Sequence, residues 1–215
     1  MRMRNNPKAN EILEENSKDL IVLEPQTLKG KWKEIFKNNN PIYIEIGMGK
    51  GDFITNNAFQ NKDINYIGIE LSKSVLVVAI NKLRKFEEEN GKLDNLRMMS
   101  CDAATLLDVF AENEVDKIYL NFSDPWPRKK HAKRRLTFKT FLDVYKNILK
   151  ENGIVEFKTD NRGLFEFSIE SMNNYGMHFE KIFLDLHQTD EPNIMTEYER
   201  KFMEKGPIYK MVAKF

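Results

Sequence analysis

One cysteine, Cys101, stands among the 215 residues of this chain. A single thiol excludes an internal disulfide framework and a Cys-rich zinc site. No apolar run approaches the roughly 20 residues that a bilayer-spanning helix needs. An excess of one charge is missing as well: 34 Lys and Arg face 33 Asp and Glu, a net charge of +1. Global charge therefore says nothing about partners, and only local clustering can. His178 and His187 have neither the spacing nor the neighbours of a metal site, so no metal is expected. The opening Met1-Arg2-Met3-Arg4-Asn5-Asn6-Pro7 is basic but leads into no hydrophobic segment, which argues against a secretory signal and for the cytoplasm. Internal repeats and low-complexity tracts are absent.

What is present fits a globular chain: 41% apolar and 31% charged residues. A chain of this size is expected to fold as one domain, burying roughly 70% of the surface that it exposes when extended. Residues 1–40 read as an N-terminal arm and a short helix over 28–36, with residues 1–10 mobile and Arg2, Arg4 and Lys8 placed to meet a nucleic-acid backbone. Residues 41–215 read as the main domain. There, runs at 42–46, 65–70, 95–100, 116–122, 153–159, 178–185 and 208–214 predict seven strands. Helical spacing predicts helices over 52–60, 74–89, 104–111, 137–149 and 161–175. The alternation is that of an α/β fold, a mostly parallel sheet with helices on both faces. The last two strands, separated by a polar insertion at 186–206, are expected to pair as an antiparallel edge.

The segment from Ile42 to Phe53 reads as a buried strand, a glycine turn and a helix start, with Glu45 two residues before Gly47-x-Gly49-x-Gly51. Glycine allows a tight turn and close approach to a ligand, and the helix start offers free N–H groups. Asp52 occupies the position where a dinucleotide fingerprint needs a small residue, and no Walker signature follows. A carboxylate at Glu45 repels phosphate and attracts an ammonium. The loop therefore favours a cationic nucleoside such as S-adenosylmethionine over NAD, or else is an ordinary turn. Glu70, at the next strand end, suits two ribose hydroxyls. Asp102, at the third, suits an adenine amino group, or simply caps the helix that follows.

The fourth strand runs into Ser123-Asp124-Pro125-Trp126-Pro127 and then a basic stretch. Seven Lys and Arg fall between 128 and 139 with no acid among them. Beside a presumed cofactor cleft, such a field suits a phosphate backbone. Trp126 either packs this loop or stacks on a base. His131 touches phosphate or is merely solvated.

These segments together resemble the bacterial tRNA (guanine-N7)-methyltransferase family. The likeness rests on the Glu45–Gly51 loop, Gly68-x-Glu70, Asp102-Ala103, Asp124-Pro-Trp-Pro with His131-x-Lys133-Arg134-Arg135, Lys158-Thr159-Asp160, and Thr196-x-Tyr198-Glu199-x-Lys201-Phe202. It runs from about residue 30 to the C-terminus. It implies a Rossmann-like class I S-adenosylmethionine-dependent methyltransferase fold with a seven-stranded sheet. It also implies methyl transfer from S-adenosyl-L-methionine to N7 of the guanine at position 46 in the tRNA variable loop, leaving S-adenosyl-L-homocysteine. By the same likeness Glu45, Gly47, Gly49, Gly51, Glu70, Asp102 and Asp124 line the cofactor site. Asp124, whose loop lies between cofactor and basic stretch, is the first choice for the chemical step, and Asp160, at another strand end, the second. Arg128, Asp160, Thr196, Tyr198 and Glu199 would meet the guanine, with Thr196 and Glu199 also spaced as a plain helix capping box. Lys129, Lys130, Lys133, Arg134 and Arg135 would meet RNA backbone, with Arg200 and Lys201 adding to them. Arg128 stands where many members have Lys, and Ser123 where some have Pro. The composition also looks like that of members that form homodimers. The residues alone leave three rivals: a methyltransferase acting on another RNA, protein or small molecule; a non-catalytic RNA-binding protein; and an NAD oxidoreductase, disfavoured by Glu45 and Asp52.

Overall fold

The computed structural model describes residues 5–215. Arg2 and Arg4 of the expected arm lie outside them. Eight strands form one sheet: β1 Ile21–Val22, β2 Ile42–Ile46, β3 Asn65–Glu70, β4 Leu96–Ser100, β5 Val115–Asn121, β6 Leu149–Thr159, β7 His178–Phe183 and β8 Tyr209–Lys214. Their order is β1-β4-β3-β2-β5-β6-β8-β7. All pairings are parallel except β6 with β8 and β8 with β7. The expected antiparallel edge is therefore present, and the sheet has one strand more than the seven expected. The extra strand is the apolar run before Pro25, whose two residues pair with Met98 and Met99 of β4. It is too short for a period to show in the sequence.

The helices are α1 Ala9–Glu15, α2 Trp32–Phe36, α3 Asp52–Gln60, α4 Lys73–Asn90, α5 Leu106–Val109, α6 Lys139–Ile148, α7 Arg162–Tyr175 and α8 Glu197–Phe202. Helix α1 begins inside the stretch read as mobile: Ala9 and Leu13 are buried, and the Asn6 N–H donates to Ser74 Oγ at 2.8 Å. Helix α4 follows the predicted stripe, with Leu76, Val77, Ile80 and Leu83 buried and Gly91 ending it at φ +84°. Helix α7 is capped by Asn161, whose Oδ1 accepts the Leu164 N–H at 2.8 Å.

Strand alternation sends side chains to two faces with different covers. On one face Ile44, Ile67, Ile118, Leu120, Phe157 and Met211 form a continuous apolar layer. The residues that close it include Trp32, Leu106, Tyr145 and Phe165, from α2, α5, α6 and α7. On the other face α1, α3 and α4 cover β3 and β4, with Tyr66, Leu96 and Met98 beneath them. Further along that face, over β5, β6 and β8, Glu156, Lys158 and Lys210 are buried beside Tyr119, Asn121 and Val212. The chain runs β2, β3, β4 to one side and then crosses to β5 on the other side of β2. The crevice beyond the carboxyl ends of β2 and β5 is thus where strand order reverses, the usual place for a ligand in an open α/β sheet.

Candidate active site

Beyond Ile46 the chain turns through Gly47, Gly49 and Gly51 at φ +76°, +58° and +80°. Side chains rarely tolerate this left-handed region, so the turn itself requires glycine. A Cβ on Gly47 or Gly49 would project into open space, so the loop presents bare backbone on that side. Glu45 lies behind the loop, 2% exposed. Its Oε1 accepts from Asn121 Nδ2 at 2.9 Å, while Glu45 Oε2 and Asn121 Oδ1 are buried with no donor among the described residues. Burial pushes the Glu45 carboxyl up to about 8, against the opposing effects of the Asn121 bond and the Lys158 charge. Two acceptors without donors, on adjacent strands at the switch point, fit a cationic donor such as an ammonium.

A cleft of about 440 Å³ opens above them, within the range of small-molecule sites. The glycine loop is its floor, and Phe122, Thr196, Tyr198 and Phe202 form a wall. The Tyr198 ring stacks on Phe202 at 4.2 Å and leans on Phe122 at 5.1 Å. Its hydroxyl donates to Asp160 Oδ2 at 3.0 Å. Phe122 sits at φ +50° and Trp126 at φ +42°, so the loop leaving β5 is strained at both ends of the Asp124 segment. Glu197, in the first turn of α8, pairs with Lys50 at 3.1 Å, Lys82 at 2.8 Å and Lys201. Hydrogen bonds from Lys201 and Lys82 hold its carboxyl far below the usual range. The helix that walls the cleft is thereby tied to the glycine loop and to α4.

The other two strand-end acids lie along the same rim. Glu70 accepts the Gly49 N–H at 3.1 Å and the Ser72 N–H at 2.9 Å. Burial pushes its carboxyl up despite those bonds, and the Asp124 charge adds to the rise. Asp102 accepts the Ala104 N–H at 2.9 Å, the cap that its position allowed. Asp124 is itself exposed.

The basic stretch forms a 3-10 helix, Lys129–Arg134. Arg128, Lys129, Lys130 and Lys133 are exposed. Arg134 lies over the Trp126 ring at 4.8 Å and His131 meets it edge-on at 5.8 Å, so Trp126 packs within its own loop. Arg135 donates to the carbonyls of Pro125 and Trp126, both at 3.0 Å, and covers Phe167 at 4.3 Å.

Residues 39–211 match a family model described as a putative methyltransferase. The chain is 54% identical to the tRNA (guanine-N(7)-)-methyltransferase of Bacillus licheniformis, covering 100% of this chain and 99% of that one. It is 51% identical to the enzyme of the same name from Streptococcus pneumoniae, over the full length of both. This chain belongs to the tRNA (guanine-N7)-methyltransferase family. Solved structures share the fold at low identity. An antibiotic-related methyltransferase superposes with TM-score 0.63 at 19% identity, covering 86% of this chain and 92% of that one. The 16S rRNA methyltransferase KamB gives 0.63 at 12%, covering 85% and 91%.

In this member of the tRNA (guanine-N7)-methyltransferase family, the sequence-derived residues fall into three groups. Glu45, the three loop glycines, Thr196 and Tyr198 share the cleft. Glu70, Asp102, Asp124 and Asp160 stand at or just past the ends of β3, β4, β5 and β6, outside the lining of the cleft, and Asp160 touches its wall through Tyr198. Glu199 is apart from both: it is fully buried, its Oε2 bonded to Lys158 Nζ at 2.7 Å and its Oε1 to Asn193 Nδ2 at 2.6 Å. The capping box is formed, with the Glu199 N–H donating to Thr196 Oγ1 at 2.9 Å and the Thr196 N–H donating to Glu199 Oε2 at 3.3 Å. Asn121, Phe122 and Lys158 carry no assigned role in the sequence reading. Asn121 and Phe122 end an apolar strand, and their position opposite Glu45 follows only from the pairing of β2 with β5. The residues fit S-adenosylmethionine: buried acceptors without partners suit an ammonium, and open glycine backbone leaves room beside them.

Proposed function

We propose that this chain methylates N7 of guanine at position 46 in the tRNA variable loop, using S-adenosyl-L-methionine. The observation that carries the reading is the buried, half-unpaired Glu45 carboxylate at the glycine loop, in one cleft with the Thr196–Tyr198 wall. Full-length likeness to two enzymes named for guanine N7 supports the substrate. Glu45 and Asn121 would hold the cofactor's ammonium, Gly47 to Gly51 its backbone-facing side, Glu70 its ribose, and Asp102 its adenine amino group. Bound there, the cofactor supplies an electrophilic methyl on a sulfonium sulfur.

Guanine N7 carries a lone pair and no proton, so no obligate general base is required, and the work of the protein is alignment. Positive charge moves onto the purine as the bond forms, and a fixed carboxylate nearby stabilises it. Asp124, on a loop braced by Arg135, is our first choice for that role. Asp160, fixed by Tyr198, and Thr196 would read the guanine edge, with Arg128 at its phosphate or base. Lys129, Lys130, Lys133 and Arg134 would meet the RNA backbone. The reading extends to a cytoplasmic homodimer, which sedimentation of the purified chain tests. Labelled S-adenosylmethionine and unmodified tRNA, followed by mapping of the methylated base, test the activity. Label on N7 of the variable-loop guanine is expected. Label on another base, or none on tRNA, overturns the reading.

A further inference from the structure

Lys158 is a fully buried lysine in the middle of the sheet. Its three N–H groups are all taken: by Glu199 Oε2 at 2.7 Å, Asn193 Oδ1 at 2.9 Å and the Ile194 carbonyl at 3.1 Å. Every one of these partners belongs to residues 193–199. Glu199 collects the same segment from its own side, accepting from Asn193 Nδ2 and the Thr196 N–H, with His187 Nε2 at 3.1 Å. Two residues beyond Lys158, Asp160 receives the Tyr198 hydroxyl. One sheet lysine thus fixes the register between the end of β6 and the segment that walls the cleft.

We infer that Lys158 is a positioning residue that sets Thr196 and Tyr198 against Asp160 through the Glu199 carboxylate. The geometry gives the reason. Glu199 is 0% exposed, and its carboxylate is occupied on both oxygens. An apolar pair of similar volume would close the sheet equally well; a buried ion pair costs desolvation and is often no more stabilising than such a replacement. What the pair adds is direction, since three hydrogen bonds from one ammonium fix an orientation that apolar contact leaves free.

The inference rests on the proposed activity for its kinetic arm and separates from it in the test. Lys158→Met, Glu199→Gln and the double variant are compared with the wild type. Cofactor affinity, by equilibrium titration, is expected within about threefold of wild type in Glu199→Gln, which leaves Glu45, the glycine loop and the Lys158 charge beside Glu45 in place. In either single variant one buried charge loses its partner. Their kcat/KM for tRNA is expected to fall at least about tenfold, and backbone amides of 193–199 to exchange faster. Removing both charges leaves Gln able to accept the Thr196 N–H, so the double variant is expected to regain at least about fivefold in kcat/KM over Glu199→Gln. If the double variant is no better than Glu199→Gln, Lys158 does not act through the Glu199 carboxylate and the inference fails. That comparison does not need Lys158→Met to fold alone. If wild type transfers no methyl to tRNA, the proposed function fails, while exchange at 193–199 still judges Lys158: rates unchanged in both single variants overturn it.

Discussion

The same face of the sheet is closed in two different ways. Over β3 and β4 it meets α3 and α4 through Tyr66, Met98, Phe53, Leu76 and Ile80, all buried and apolar. Over β5, β6 and β8 it meets residues 186–206 through charge. Glu156 sits between Lys117 at 2.8 Å and Lys210 at 3.3 Å, and Lys210 reaches on to Glu191 at 3.5 Å. Apolar closure is non-directional and holds wherever shapes fit. Ionic closure holds only at particular atoms. The apolar half carries helices that need only be attached. The ionic half carries the wall of the cleft, which must be attached in one register. The Glu45 and Asn121 acceptors lie on the seam between the two.

The seam should be the most sensitive place. Glu45→Gln keeps the shape but removes the charge, and is expected to weaken cofactor binding on the order of 100-fold by titration; an unchanged constant would detach Glu45 from the cofactor. Next come stability effects that contrast the halves. Leu76→Ala should cost about 2–5 kcal/mol by denaturant unfolding through a cavity under α4. Glu156→Ala takes from Lys117 its partner and leaves Lys210 with Glu191 alone, and should cost about 3–5 kcal/mol, whereas Glu156→Leu with Lys117→Met and Lys210→Met should recover most of it. Failure of that recovery would break the contrast.

Protons sharpen it further. Glu156, flanked by Lys117 and Lys210, is held below the ordinary carboxylate range, so its contribution is present above the unfolded value near 4.5 and lost as pH falls through the depressed one. Glu45 behaves oppositely: its value of about 8 means that its contribution is present below 4.5 and is lost as pH rises through about 8. At pH 7 the free protein holds Glu45 mostly protonated. Binding of a cationic cofactor should then release close to one proton, seen as a dependence of the calorimetric heat on buffer ionisation and absent in Glu45→Gln. Smallest of all, Lys129→Ala or Lys130→Ala should weaken tRNA binding severalfold and reduce its salt slope by about one.

The sequence revealed the glycine turn and strand-end acids because each declares itself locally, as a φ requirement or as a break in an apolar run. The antiparallel edge was legible for the same reason. Strand β1 and helix α1 were not: two residues show no period, and α1 buries only Ala9 and Leu13. The ionic half was hidden more deeply. In β6, Glu156 and Lys158 alternate with Val155 and Phe157, a pattern that reads as one dry face and one wet face. Only the insertion folding over that second face makes it an interior. Lys158 was hidden in the same way, since the capping box accounts for the spacing of Thr196 and Glu199 without revealing the lysine beneath them.

Arg135 has a wider consequence for how much charge the RNA side can offer. Of the seven cations between 128 and 139, Arg135 is committed to two carbonyls, Arg134 rests on an indole, and Lys139 pairs with Asp143 at 3.0 Å. Four remain without such ties: Arg128, Lys129, Lys130 and Lys133. Carbonyls and an indole neutralise nothing, so the field of this loop persists, but fewer of its side chains are free to turn towards a phosphate, and Arg135 in particular is internal scaffolding.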